Sequence, residues 1–254
     1  MENNRGILLS KVPQVTIFFW AIKILSTTVG ETFADWINET LGLGLTKTSL
    51  FITSVLVVLL VIQMKAKEYS AFKYWAVVVF MSIAGTLVTD NLTDNLGVSL
   101  VLSTAIFGIL LFITFSIWYR EEKTISIKEV NTPRREAFYW LAILFTFAMG
   151  TAAGDLIAEK IDLGYGLSFI IFLVVIVGFI ALWQFKVLGT NMAFWLCYIM
   201  TRPLGAASGD YLSQTKHDGG IGLGAANTSF IYLSAIVLLV IYLSVTKRDR
   251  ITSQ

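Results

Sequence analysis

The chain is poor in the residue types on which most soluble enzymes depend. It has one cysteine, Cys197, and one histidine, His217. A single cysteine excludes an intrachain disulfide and any Cys-x-x-Cys redox or zinc motif. A single histidine argues against a zinc enzyme or a histidine-based acid–base site. Charged residues are scarce as well, at 14% of 254 positions, where a soluble domain carries roughly 25%. The net charge of +2 is small and says nothing about nucleic acid.

What replaces the missing charge is apolar. The hydrophobic class makes up 56% of the residues, and mean hydropathy is +0.74. Runs such as Leu50 to Met64 and Leu167 to Phe185 approach or reach the roughly 20 residues that cross a bilayer as a helix. Eight spans fit. The odd ones begin near Val15, Ala71, Ala137 and Asn191, and the even ones near Thr48, Ser99, Leu167 and Thr228. The first is followed by Glu31 and Asp35, with no small-residue cleavage pattern, and reads as a retained helix.

The connections alternate in character. Odd-to-even loops are short and glycine-rich, as in Leu41 to Gly44 and Leu163 to Gly166. Even-to-odd loops and both ends are basic, with Arg5, Lys11, Lys65, Lys67, Lys73, Arg120, Lys123, Arg134, Arg135, Lys186, Lys247 and Arg248 on one side. Lys47, Lys160 and Lys216 fall on the other. The positive-inside rule then predicts a plasma-membrane protein with both termini cytoplasmic. Trp20, Trp75, Trp118, Trp140, Trp183 and Trp195 sit at the cytoplasmic ends of spans, where an aromatic belt is expected. The polar stretch 119–136 is read as a cytoplasmic linker between two four-helix halves, 1–118 and 137–254.

The strongest signal is an internal repeat. Trp20, Trp75, Trp140 and Trp195 align without gaps through the odd helices. Ten residues on come Gly30, Gly85, Gly150 and Gly205, and fifteen on come Asp35, Asp90, Asp155 and Asp210. Eleven on come Glu31, Thr86, Thr151 and Ala206, and nineteen on come Glu39, Asp94, Glu159 and Gln214. A unit of two spans re-enters the bilayer in the same direction each time. The expected fold is therefore all-α and integral to the membrane, with eight transmembrane helices as four parallel two-helix repeats about a pseudo-symmetry axis. Four tandem two-helix repeats, each with a Trp, resemble a bacterial and archaeal membrane family known as a repeat of unknown function. That resemblance covers nearly the whole chain and implies no activity.

Chemistry is suggested by the acidic columns. Positions eleven, fifteen and nineteen after the Trp share one helix face. The Asp column lies about 22 Å along the axis from the Trp, in the outer half of the membrane. A carboxylate there costs at least ~2.5–3.5 kcal/mol, and four in one layer cannot all stay ionised without compensation. Lys23 and Arg202 are the basic residues inside odd helices, so protons or a bound cation must make up the difference. Oxygen ligands suit divalent cations of the Mn/Mg/Ca class. Hydroxyls are at hand in Thr86, Thr89, Thr151 and in the first turns of the even helices, at Thr48, Ser103, Ser168 and Thr228. The candidate metal ligands are Asp35, Asp90, Asp155 and Asp210, with Glu31, Glu39, Asp94 and Glu159 beside them.

The expected function is transport of a small cation through this central site, with displaced protons as a means of coupling. No cofactor beyond a bound divalent cation is expected, and no nucleic-acid partner. The lipid bilayer, the cation and further copies of the chain are the expected associates. A transporter of small organic cations or polar solutes is the alternative, and a non-transporting partner protein a minor one. An aspartyl protease is disfavoured because Gly154-Asp155 and Gly209-Asp210 lack the first glycine of the Gly-x-Gly-Asp motif. The plainer readings are that Glu39, Asp94 and Glu159 are solvated helix ends, and that the Asp column pairs with Arg202 or Lys23. The glycines are read as close-packing sites, and Lys23 as a residue able to snorkel to the interface.

Overall fold

The computed structural model describes residues 10–40, 42, 44–160, 163–217 and 219–250, without the side chains of 39, 40, 159 and 160. The described residues form α1 (Ile17–Asp35), α2 (Leu45–Lys65), α3 (Ala71–Asp90), α4 (Leu100–Glu122), α5 (Pro133–Asp155), α6 (Gly164–Gln184), α7 (Thr190–Ser213) and α8 (Ala225–Thr246), and no strand. Helix starts carry ordinary signals. Thr16, Ser99 and Thr132 accept a hydrogen bond from the first-turn N–H of Phe19, Leu102 and Arg135, and Pro133 opens α5. The Gly-rich turns supply left-handed backbone before the even helices, at Gly44 (φ 75°), Gly97 (φ 67°) and Gly224 (φ 79°).

Seven of these helices are long and apolar enough to cross a membrane. The eighth, α7, carries Arg202, Pro203, Asp210 and a run of small residues. It can be less apolar because its surroundings are protein: most of α7 is buried. The buried share of the apolar windows is 61, 72 and 56% in α1, α3 and α5, against 17, 22, 17 and 28% in α2, α4, α6 and α8. The odd helices are therefore an inner layer and the even helices an outer one. The outer layer exposes large apolar side chains such as Leu50, Phe51, Val101, Phe112, Val174 and Leu238. An apolar surface this extensive fits a multi-pass membrane protein.

The inner helices pack in a closed order, α1 on α3, α3 on α5, α5 on α7 and α7 on α1. The same contacts recur at each step. Phe19 meets Trp75, Tyr74 meets Trp140, Tyr139 meets Trp195 and Phe194 meets Trp20, with ring centroids 5.5, 5.4, 6.1 and 5.6 Å apart. Further along, Gly30 receives Ser82, Gly85 receives Phe147, Gly150 receives Arg202 and Gly205 receives Thr27. A β-carbon at any of these glycines would collide with its partner.

Each even helix packs mainly on the next odd helix: α2 on α3, α4 on α5, α6 on α7, and α8 back on α1. The repeat in sequence and the unit of packing are thus one helix out of phase, and the contact of α8 with α1 closes the ring.

The tryptophans depart from the belt expectation. Trp75, Trp118, Trp140 and Trp195 are buried, Trp20 is half-buried, and Trp183 is exposed. All of these except Trp183 form an aromatic collar inside the bundle, because each meets a ring on a neighbouring helix. Below the collar, a strap from Ser10 to Gln14 crosses the end of the bundle where the odd helices start. Lys11 N–H donates to Val130 O and Gln14 N–H to Asp249 O. Lys11 Nζ bonds Met64 O at 2.8 Å and Glu136 Oε2 at 2.9 Å.

Candidate functional site

The site is built from two consecutive levels of the odd helices. The inner level starts with Arg202, seven residues after Trp195. Its stem runs past Gly150, where α5 has no β-carbon to block it. The guanidinium is fully buried and reaches three other helices. Nη1 donates to Thr27 O at 2.8 Å on α1. The two N–H groups of Nη2 are shared among three acceptors, Glu31 Oε2 at 3.0 Å on α1, Thr151 Oγ1 at 2.6 Å on α5, and Thr86 Oγ1 on α3. Thr86 also donates to Glu31 Oε2 at 3.3 Å. Glu31, Thr86 and Thr151 are the eleventh residues of three repeats, and Ala206 takes that place on the helix that supplies the arginine. One cation from the fourth repeat thus fills the level formed by the other three.

Lys23 lies between this level and the aromatic collar and is also fully buried. Its Nζ stacks on Phe147 at 4.0 Å and Tyr198 at 4.3 Å, with no hydrogen-bond partner among the described residues. It does not snorkel. The collar of rings stands between it and the end of the bundle. Arg202 forms its ion pair with Glu31, across the bundle on α1.

The outer level is the Asp column. Asp90 lies within electrostatic reach of Asp35, Asp155, Glu31 and Asp94. Asp210 is buried, and Asp35, Asp90 and Asp155 are partly so. Asp35, Asp155 and Asp210 each have partners of their own. A feature invisible in the sequence marks this level. Immediately after Asp35, Asp90 and Asp155 the helix widens into one π-helical turn, Trp36–Thr40, Asn91–Asn95 and Leu156–Lys160. Such turns are uncommon and gather at functional sites. In the fourth repeat α7 stays α-helical through Asp210 to Ser213.

The widened turn changes the third column. A π-helical turn no longer keeps residues four apart on one face, so the nineteenth position leaves the line of the Asp column. Asp94 is exposed and accepts a hydrogen bond from Thr93 Oγ1 at 2.9 Å. The side chains of Glu39 and Glu159 lie outside the described residues. Among the described residues no three His, Cys, Asp or Glu side chains stand close enough to share one metal ion. The first-turn hydroxyl residues Thr48, Ser103, Ser168 and Thr228 are all buried against the inner helices. Thr32 on α1 and Ser229 on α8 bond across the ring closure at 2.7 Å.

A family model described as Repeat of Unknown Function (DUF347) matches the chain four times, over residues 18–69, 73–124, 138–186 and 193–249. The chain belongs to this family. Each match takes in one odd helix and the even helix after it, so the DUF347 repeat is the helix pair with its Trp, Gly and Asp columns. No curated protein and no solved structure matches the chain.

Proposed function

We propose that this DUF347 protein is a membrane transporter of a small cation, of the divalent Mn/Mg/Ca class, which is held by Asp35, Asp90, Asp155 and Asp210. In this reading the four repeats surround a pseudo-fourfold axis along the membrane normal. Both termini face the cytoplasm, because the basic residues gather at the end where the odd helices begin. The acidic level then opens toward the outer face, and the Arg202 level with the aromatic collar closes the path inward.

The observation that carries this reading is the electrostatic proximity of Asp90 to Asp35, Asp155 and Glu31 within helices long enough to span a bilayer. Like charges held together at that depth are costly unless a cation or protons join them. A divalent cation bound among these carboxylates would offset their mutual repulsion. Binding would draw the Asp level together around the ion, and protons released from the same carboxylates would couple the movement to a proton gradient.

The test is flux. Proteoliposomes containing the full chain should take up one or more of Mn²⁺, Mg²⁺ and Ca²⁺, with release of protons into the medium. Asp90→Asn and Asp155→Asn should abolish uptake while the protein remains folded. Uptake that is unchanged in both variants would rule out the Asp level as the path.

A further inference from the structure

The Arg202 level has the composition of a cation site in its own right. It offers one carboxylate, Glu31, two hydroxyls, Thr86 and Thr151, and one carbonyl, Thr27 O, to a single guanidinium. Its three side-chain oxygens come from three repeats, at equivalent positions, and meet at one nitrogen. An arginine held only as helix-packing filler would not need the same column of three helices to face it. We propose that Glu31, Thr86 and Thr151 form a second, inner cation site for a monovalent ammonium- or guanidinium-type ligand, which Arg202 occupies in this state as a tethered surrogate.

The charge balance selects the ligand class. One carboxylate matches one positive charge, whereas the outer level has the carboxylates for a divalent ion. The hydroxyl and carbonyl oxygens suit N–H donors arranged as in a guanidinium. Room for such a ligand follows from the geometry of the stem. Arg202 Cβ and Cγ lie against Gly150, so truncating the side chain leaves a gap on α5 that leads to Glu31. The existence of the site stands on these contacts alone. Its role as an inner gate, with Arg202 withdrawing to let a cation pass, rests on the transport reading above.

Chemical rescue tests the site. The full chain would be purified as wild type, Arg202→Ala, and Glu31→Gln/Arg202→Ala, and unfolded thermally with guanidinium at low, sub-denaturing concentrations. Choline at equal ionic strength is the control. Lys23 could swing toward a vacated Glu31, so each Arg202 variant is also made with Lys23→Met. Arg202→Ala should melt below wild type and recover with guanidinium in a saturable rise of about 3–5 °C. Wild type and the variants lacking Glu31 should show no rise. If Arg202→Ala folds only when guanidinium is present during purification, that supports the site equally. Arg202→Gln, measured the same way, is the second variant. Folded Arg202→Ala and Arg202→Gln that ignore guanidinium, or an equal rise without Glu31, would overturn the proposal.

The outcome separates from that of the outer site. Adding Asp90→Asn and Asp155→Asn to Arg202→Ala should leave the guanidinium response intact. A failed divalent-cation assay with a retained guanidinium response would remove the transport reading and keep the inner site.

Discussion

At the scale of single residues, the balance between buried charge and its partners decides most of the behaviour. Glu31 and Arg202 are both buried and bonded to each other. Removing one partner of such a pair leaves the other charge uncompensated, at about 3–5 kcal/mol. Glu31→Gln should therefore lower thermal stability by that order. A Glu31→Gln/Arg202→Met pair should recover part of the loss, which differential scanning of the purified variants would show. The glycine column gives a second contrast. A β-carbon on Gly85 would sit 2.6 Å from Phe147 Cβ and 3.1 Å from Ala148 N. Gly85→Ala should cost about 1–3 kcal/mol through overpacking. Gly178, with nothing within 4 Å, should accept alanine with no loss, and with a gain of up to about 1 kcal/mol from helix propensity. Both columns were legible in the sequence because they recur in register. What they touch was not. Arg202 could be seen to break the pattern, but its pairing with Glu31 depends on which helix faces α7, and Lys23 gives no sign in one dimension that aromatic rings enclose it.

At the scale of elements, closure of the ring is the feature with the largest consequences. α8 packs on α1 and bonds it through Thr32 and Ser229, so the last helix completes the surroundings of the first. A chain ending at Gly224 should lose cooperative unfolding, and residues 225–254 supplied as a separate segment should co-purify with it. A segment that fails to associate would contradict the packing. The strap makes a smaller prediction. Lys11 ties Met64 O and the buried Glu136 to the N-terminal segment. Lys11→Met should cost about 1.5–3 kcal/mol, the worth of a hydrogen bond to a charged group. It should also speed proteolysis at 10–14. Nearby, burial and the acceptor Asp249 push the Tyr69 phenol above its usual range, so the Tyr69–Asp249 bond should persist to alkaline pH. Eight helices, their order and their short glycine turns were readable from apolar runs and turn residues. The π-helical turns were not, because their residues satisfy an α-helical pattern equally well. The exposure of Asp94 follows from the same turn.

At the scale of the whole molecule, the sequence repeat and the apolar surface define a helical protein with a charged interior and an apolar exterior. The tryptophans show where one-dimensional reading stops. Their place near span ends is the same for a lipid belt and for an internal collar, and only the partner rings on neighbouring helices distinguish the two. The central claim is that the four Asp residues together bind a cation. The direct test is thermal stability of the purified full chain against Mg²⁺, Ca²⁺, Mn²⁺, Co²⁺, Zn²⁺, Na⁺ and K⁺, repeated on Asp35→Asn, Asp90→Asn, Asp155→Asn and Asp210→Asn. A ligand that binds only the folded state stabilises it by about 2.7 kcal/mol at a hundred times its dissociation constant. A selective rise with one or more divalent ions is expected in the wild type, and its loss in the Asn variants. A rise that survives all four substitutions, or no response to any ion, would contradict it.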